Sequence, residues 1–337
     1  MERVAQLASV SIATVSRVIN TPERVAPETR ERVHAAIARL GYSYNAVAGS
    51  LSRQWTMILG LIVPTVTNPI FAESTRGIQQ AANARGYALL IGSTDYRADV
   101  EEQLVKTFRQ QRVDGLIVTS SHPESPALVE AQQAGTPVVL TYSSRLRSQL
   151  PCVGVDNAAA AATAVGHLIR LGHRRIAMLA GTFSGSDRSY ARYLGYRSAL
   201  AAHGISPEPD YLIEVPYTID DGVAGARRLL GLAERPTAIF CANDILAFGA
   251  IRAMLDAGLR VPQDISVVGF DDSPMAAITN PRLTTVAQPA FTMGERACEL
   301  LLALINGEQP ERTLILPTEL HIRETTAPPP ATGEGEP

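Results

Sequence analysis

Two doubly wound parallel α/β lobes, preceded by a small all-α helix-turn-helix domain, are what this sequence predicts, and three observations predict them. From residue 57 onward short apolar runs alternate with helical patterns, and the alternation restarts near residue 174, giving two successive βα series. Before residue 45 three short helical stripes follow one another without a strand-like run. Length supports the division, because 337 residues exceed what one compact core usually spans.

In order along the chain, residues 2–8 (ERVAQLA) place Val4, Leu7 and Ala8 on one helical face. Val15, Val18 and Ile19 form a second stripe within SIATVSRVIN, residues 11–20. The two helices are joined at Ser9-Val10-Ser11, where the Ser11 hydroxyl is placed to cap the second. A third helix starts at Pro27, whose fixed φ suits the first helical position, and stops at Gly41 after an inner stripe of Val33, Ile37 and Leu40. Three short helices, the first two tightly joined, read as a helix-turn-helix domain.

The first series of strands is MILGLIV (57–63), YALLIG (87–92), VDGLIVT (113–119) and TPVVLT (136–141), with helices at about 70–85, 97–111 and 125–134 between them. These runs are apolar throughout, as in strands covered on both faces. The second series is RRIAMLAG (174–181), YLIEV (211–215), TAIFC (237–241) and DISVVGF (264–270). Ligand chemistry is expected at the carboxyl ends of such strands. The tail from Ala327 (APPPATGEGEP) has little apolar side chain to bury and is expected to be disordered.

Composition excludes several classes. With 46% apolar and 19% charged residues the chain reads as soluble and globular. No apolar run reaches a membrane span, and the first twenty residues lack a signal-peptide core, so a cytoplasmic location and no membrane partner are expected. Cys152, Cys241 and Cys298 are odd in number and far apart, which points to buried reduced thiols rather than disulfides or a zinc site. No phosphate-cradling glycine loop, nucleophile elbow or paired-His metal motif is present; no enzyme, cofactor or metal is expected. His167 and His173 flank a helix end, where surface or capping roles are expected.

The net charge of −3 hides an asymmetry: residues 1–55 hold seven Arg against four Glu, leaving −6 for the remainder. A small basic domain on an acidic body suits a nucleic-acid contact. A recognition helix in the major groove needs small or polar residues near its N-terminus, donors to phosphate, and an apolar back face. The second helix supplies all three. Ile12, Ala13 and Arg17 are placed to face bases, Arg17 as a bidentate donor to guanine, while Ser11, Thr14, Ser16 and Asn20 are polar groups on the same helix. On the motif alone, an ordinary amphipathic helix pair remains a second reading.

The segment VAQLASVSIATVSRVINTPERVAPETRERVHAAIARLGYSYNAVAGSL resembles the DNA-binding head of the LacI/GalR transcriptional regulators. The resemblance continues through NPIFAE, RVDGLIV, LGHRRIAMLAG, RPTAIFCANDILAFGAIRAMLDAGLRVPQDISVVGFDD and PRLTTVAQP, to about residue 325. It implies a helix-turn-helix domain over 1–44, a hinge helix and linker over 45–56, and a periplasmic-binding-protein-like effector and dimerisation domain over 57–326. In that domain the N-lobe would take 57–156 plus 288–316 and the C-lobe 157–287 plus 317–326, leaving 327–337 as tail. In the hinge segment NAVAGSL, which Asn45 opens, the resemblance implies Leu51 as a wedge between base pairs in the minor groove, with Ala48 packed beside it. Ser9 stands where relatives usually have Gly, so a residue with a Cβ must take a left-handed bend at a cost of about 1 kcal/mol. Gly49 stands where a longer residue is common, and the chain opens at Met1-Glu2-Arg3 where relatives usually carry several more residues. Either the start is misassigned or the head is weakened, and Ser9 and Gly49 both act against DNA affinity without changing the class of function.

The same resemblance implies an effector site between the lobes. Position by position it carries over Phe71 and Tyr217 as aromatic contacts, Arg192 as a donor to hydroxyl or carboxylate groups with Asp187 and Arg188 on the same loop and helix start, Asn243, and Asp271 at a strand end. Arg192 and Asn243 each admit a second reading, as an ion pair between helices and as a helix cap. Tyr142 stands where sugar-binding relatives often have Asp, so no sugar specificity is carried over. The implied protein is a homodimeric regulator of operator DNA, a repressor by expectation, controlled by a small polar effector such as a sugar or sugar acid. The alternative is a free-standing solute-binding protein with a non-functional head.

Overall fold

The computed structural model describes residues 1–41, 55–120, 122, 125–143 and 150–330, without the side chain of Asn20. Asn45, Ala48, Gly49 and Leu51 lie outside the described residues, as does the tail from residue 331. The chain forms two compact units, Met1–Thr56 and Met57–Pro337.

In the first unit, α1 (Glu2–Ala8), α2 (Ile12–Asn20) and α3 (Pro27–Leu40) enclose Val4, Ala5, Ala8, Val15, Val18, Val33 and Ala36. The turn between α1 and α2 is left-handed at Ser9, φ 53° and ψ 48°, with its N–H bonded back into α1. Ser11 caps α2, its Oγ accepting from Thr14 N at 3.1 Å. Pro27 opens α3 and Gly41 ends it at φ 55°. Two apolar residues differ from expectation. The stripe of α1 runs through Met1, Val4, Ala5 and Ala8, the small Ala5 letting the helices approach, which leaves Leu7 about a quarter-turn away and 41% exposed. Leu40 is exposed because the fourteen-residue α3 outruns the seven- and nine-residue helices it packs on.

The second unit holds two six-stranded sheets. The N-lobe sheet takes β1 (Ile58–Val63), β2 (Ala88–Ser93), β3 (Gly115–Val118), β4 (Val138–Thr141), β5 (Cys152–Val155) and β11 (Thr313–Leu316), in the order β11-β5-β4-β3-β1-β2, all parallel. The C-lobe sheet takes β6 (Ile176–Gly181), β7 (Leu212–Val215), β8 (Ala238–Cys241), β9 (Ser266–Asp271), β10 (Thr284–Ala287) and β12 (Glu319–His321), in the order β12-β10-β9-β8-β6-β7. There only β10–β12 is antiparallel among the described pairings. The chain crosses between lobes three times, after β5, after β10 and after β11.

Helices α4 (Pro69–Asn83), α5 (Ala98–Gln110), α6 (Pro126–Gln133) and α11 (Ala290–Ile305) cover the N-lobe sheet. Helices α7 (Asn157–Arg170), α8 (Asp187–Ala202), α9 (Ile219–Leu230) and α10 (Asp244–Asp256) cover the C-lobe sheet. Each lobe has apolar clusters on both faces of its sheet, as central parallel strands require. β2 departs from this: it is an edge strand, only partly covered, with Ile91 exposed. Cys152, Cys241 and Cys298 are buried thiols.

The C-terminal expectation is corrected in part. Ala327 is tied to the C-lobe, its N–H donating to Ser266 Oγ at 3.0 Å and its carbonyl lying 2.8 Å from His173 Nε2. His173 is buried, with Nδ1 2.9 Å from Thr237 Oγ1, and His167 is buried beside Thr326 at 3.0 Å; neither holds the expected surface role. Burial holds both imidazoles below their usual pKa. Among the described residues no helix is long and apolar enough to cross a membrane.

Candidate functional site

The outer face of α2 is polar around one apolar residue. Ile12, Ala13 and Arg17 are exposed, and Thr14 and Ser16 are half-buried. The Ser11 hydroxyl is committed to the helix cap and lies 2.9 Å from Thr14 Oγ1, so these two groups hold the start of α2 together. An exposed Ile at a helix N-terminus, with an exposed Arg in the following turn, is the surface a groove contact needs.

In the second unit the carboxyl ends of strands from both lobes meet around one cavity. Asn68, Ile70, Phe71, Tyr96, Tyr142 and Gln288 line it together with Ser186, Arg188, Arg192, Tyr217, Asn243 and Asp271. All the effector residues expected from sequence are brought to this wall except Asp187, which lies behind it, 3.2 Å from Arg188 Nη1. The free space is about 20 Å³, room for about one water, whereas small-ligand sites span hundreds of Å³. The lobes are therefore closed on each other in this structure.

Local sequence explains most placements. Asn68 caps α4 ahead of Pro69, its Oδ1 accepting from Ile70 N at 3.1 Å. Phe71, in the first turn of α4, meets Tyr142 edge-on at 5.4 Å. Tyr142 follows β4 at φ 62°, and its hydroxyl donates to the Ile70 carbonyl at 2.9 Å, so that hydroxyl is already engaged. Ser186 caps α8 and sets Arg188 and Arg192 one turn apart on its buried face. Asn243 caps α10, its Oδ1 accepting from Leu246 N at 2.9 Å, so the capping reading holds alongside a place in the cavity wall.

Arg192 is enclosed. Nε donates to Asn157 Oδ1 at 2.8 Å, Nη1 donates to the Ala242 carbonyl and lies 3.8 Å from Asp271 Oδ1, and the guanidinium carbon sits 3.6 Å from the Phe270 ring centroid. The ion-pair reading thus also holds, within the cavity wall. Burial lowers its pKa and Asp271 opposes that shift. Asp271 ends β9 at φ 120°, a conformation that L residues rarely adopt and that concentrates at ligand clamps. Gln288 Nε2 donates to its Oδ1 at 2.8 Å. Burial pushes the Asp271 carboxyl upward, opposed by Arg192, Gln288, Asn68 and Arg188. Asp244 braces this turn from behind, accepting from Ser273 N at 2.6 Å and from Thr285 Oγ1; burial, then Asp271, raises its pKa.

Sequence reading missed Tyr96, Asn68, Ile70, Ser186 and Gln288. Tyr96 follows Asp95, both at positive φ, and its ring stacks on Tyr217 at 4.6 Å across the cleft. Asn68-Pro69 is a readable helix start. Contacts across the cleft among the described residues include Arg188 Nη1 to the Ser120 carbonyl at 2.8 Å, Asn68 to Asp271, Ser143 Oγ to Asp187 at 3.5 Å, and the tyrosine stack. Among the described residues no group of three or more His, Cys, Asp or Glu is placed to hold a metal ion.

Comparison with known proteins gives a consistent result. The family model described as bacterial regulatory proteins, lacI family, matches residues 1–45, and that described as periplasmic binding protein-like domain matches 165–326. Catabolite control protein A of Priestia megaterium is 37% identical over 324 residues, 96% of this chain and 98% of that protein. The HTH-type transcriptional repressor CytR of Escherichia coli strain K12 is 34% identical, covering 97% of this chain and 96% of its own. Among solved structures, the transcriptional regulator CelR–cellobiose complex aligns at TM-score 0.74 with 35% identity, over 96% of this chain and 98% of that one. The lac repressor dimer bound to operator and the anti-inducer ONPF aligns at TM-score 0.85 with 31% identity, over the same shares.

Proposed function

The chain belongs to the lacI family of bacterial regulatory proteins, DNA-binding transcriptional regulators rather than enzymes, and from that premise we propose that it is a homodimeric repressor controlled by a small polar effector bound between its lobes. The observation that carries this reading is the convergence of side chains from both lobes on one cavity, with Arg188 of α8 bonded to the Ser120 carbonyl at the end of β3. A ligand seated there touches both lobes at once, so its affinity depends on how they are set. An effector shifts the DNA-competent state by the difference in its affinity for the two arrangements, typically about 1–3 kcal/mol.

Ile12, Ala13 and Arg17 on α2 read bases in the major groove, with Ser11, Thr14, Ser16 and Asn20 near the phosphates. Segment 45–51, with Asn45, Ala48 and Leu51, enters the minor groove in this proposal. Dimerisation follows from specificity, because one small head offers too few contacts to select a site, and two heads on a pseudo-palindrome double the specific free energy. The relatives CytR, the lac repressor dimer and the CelR–cellobiose complex support a repressor, an operator-bound dimer and a sugar-like effector respectively.

The test is a fluorescence-anisotropy titration of the full chain against labelled DNA from its own upstream region and against unrelated DNA, over a salt series. Tight binding to one site, with log affinity falling linearly in log salt, is expected. Equal, weak binding to every DNA would overturn the regulator reading and leave a solute-binding body with a disabled head.

A further inference from the structure

The guanidinium of Arg188 is only half used. The residue is 5% exposed on the cavity face of α8. Nη1 donates to the Ser120 carbonyl at 2.8 Å and to Asp187 Oδ1 at 3.2 Å. Nη2 is buried and donates to nothing. A buried donor without an acceptor is costly, more so on a charged group, and guanidinium does not shed its proton to escape the cost. In the same wall Gln288 has the complementary deficit. Its Nε2 donates to Asp271, which fixes the amide orientation, and its Oε1 is buried with no donor.

The charges in the wall decide what enters. Arg192 spends Nε and Nη1 on Asn157, Ala242 and Asp271, and its plane lies on Phe270. Asp271 in turn is committed to Arg192, Gln288 and Asn68. Asp187 approaches Arg188 from outside the cavity wall and through Nη1 alone. Both residues line the cavity, and the unpartnered atoms they bring to it are a cationic donor, Arg188 Nη2, and a neutral acceptor, Gln288 Oε1. Two guanidiniums share that wall with one carboxylate, and the carboxylate is engaged. A ligand carboxylate satisfies Nη2 in both charge and hydrogen bonding, and a hydroxyl beside it satisfies Gln288 Oε1.

Resting on the reading of the cleft as the effector site, we propose that the effector is an acid: a polyhydroxylated carboxylate of the sugar-acid class, its carboxylate on Arg188 Nη2 and a hydroxyl on Gln288 Oε1. The Tyr96–Tyr217 pair supplies the apolar face for its C–H side. Seating such an acid requires the cleft to widen beyond the about 20 Å³ of this closed arrangement, and its carboxylate on Nη2 then bears on the same guanidinium whose Nη1 ties the N-lobe at Ser120.

Calorimetric titration of the full chain with matched pairs tests this: D-glucuronate against D-glucose, D-galacturonate against D-galactose, and D-gluconate against D-sorbitol. At least one acid is expected to bind roughly 10- to 100-fold tighter than its neutral partner, the range of a charge-assisted hydrogen bond. Arg188→Gln should erase that ratio and Arg188→Lys should restore part of it. If the Gln variant does not fold, the wild-type ratio decides alone. Equal or tighter binding of the neutral members overturns the proposal, as does failure of every acid to bind. Operator binding is measured separately, so a regulator released from DNA by a neutral sugar refutes the acid and keeps the function, whereas absence of operator binding refutes the function itself.

Discussion

Arg192 is the side chain whose removal has the most legible consequence. Replacing it by Met keeps an unbranched side chain of similar reach over Phe270 and deletes the charge. Asn157 Oδ1 and the Ala242 carbonyl then lose a buried donor, and Asp271 loses its cationic partner. Each orphaned neutral acceptor costs about 1–3 kcal/mol, and breaking a buried ion pair from one side about 3–5 kcal/mol. These costs overlap, since Asn157 and Ala242 can relax while Asp271 protonates. The expected loss is about 3–5 kcal/mol near pH 8, a large share of a typical domain stability of 5–15 kcal/mol.

The pH dependence separates this account from simple loss of packing. Arg192 holds the Asp271 carboxyl down against burial, so deleting it lets the folded-state pKa rise further above the unfolded value. A group with a raised folded pKa contributes stability that is present at low pH and lost as pH rises through the folded value. The deficit of Arg192→Met should therefore shrink as pH falls from about 8 to about 5.5. Urea unfolding of wild type and variant at both values gives it. Subtracting wild type at each pH removes the contribution of the buried histidines, and Arg192→Met/Asp271→Asn, which leaves no Asp271 carboxylate without its partner, should show a smaller deficit at about pH 8. A loss under about 1 kcal/mol, or a deficit equal at both pH values, would refute the reasoning.

Arg17→Ala, on the exposed face of α2, should cost about 1–3 kcal/mol per half-site and relax preference at one base pair; uniform loss on all DNA in anisotropy titrations counts against that role. Ser9→Gly removes left-handed strain of about 1 kcal/mol but loosens the unfolded chain by about half as much, so hydrogen exchange of α1–α3 in the full chain should slow slightly, while Ser9→Val should speed it markedly. Burial lowers the pKa of His167 and His173 below the ordinary 6.5, and the unfolded chain binds the extra protons; the histidine contribution to stability should fall as pH drops below about 6.5, and His173→Asn should remove up to one proton, about 1.4 kcal/mol per pH unit, from the slope of urea-unfolding stability.

Helix ends were readable because single residues set them. Pro27 and Gly41 fix the bounds of α3 through backbone preference alone, and Ser11 caps α2 with its own hydroxyl. Eight of the twelve described strands stood out as apolar runs, whereas β5, β10, β11 and β12, three or four residues each, did not; burial was not legible even in the eight, since YALLIG looks as apolar as MILGLIV and only the sheet order leaves β2 at an edge. Leu7 lost its inner place to Ala5 because packing distance, not hydrophobicity, chose the stripe. At the cleft, residues on strand ends and helix starts were reached through family resemblance. Tyr96 was not, because its aim depends on two successive left-handed residues that form no motif. Likewise, Pro-rich composition read as free tail from Ala327, whereas His173 and Ser266 secure Ala327 by hydrogen bonds from more than sixty residues away in sequence.

The energy scale of the cleft bears on how an effector acts. Among the described residues, closure rests on one guanidinium-to-carbonyl bond, the Asn68–Asp271 contact, a long Ser143–Asp187 contact and one tyrosine stack, each worth about 0.5–1.5 kcal/mol net, or somewhat more where a charge takes part. Their sum is a few kcal/mol. Against it stand the buried Arg188 Nη2 and Gln288 Oε1, whose unmade bonds cost a comparable amount. Opposing terms of similar size leave open and closed arrangements close in free energy, the condition under which a ligand can move the balance. A ligand that satisfies both atoms removes a penalty found only on closure, so its binding energy is differential between the two states. A ligand that binds the open and closed arrangements equally well shifts nothing, however tightly it packs.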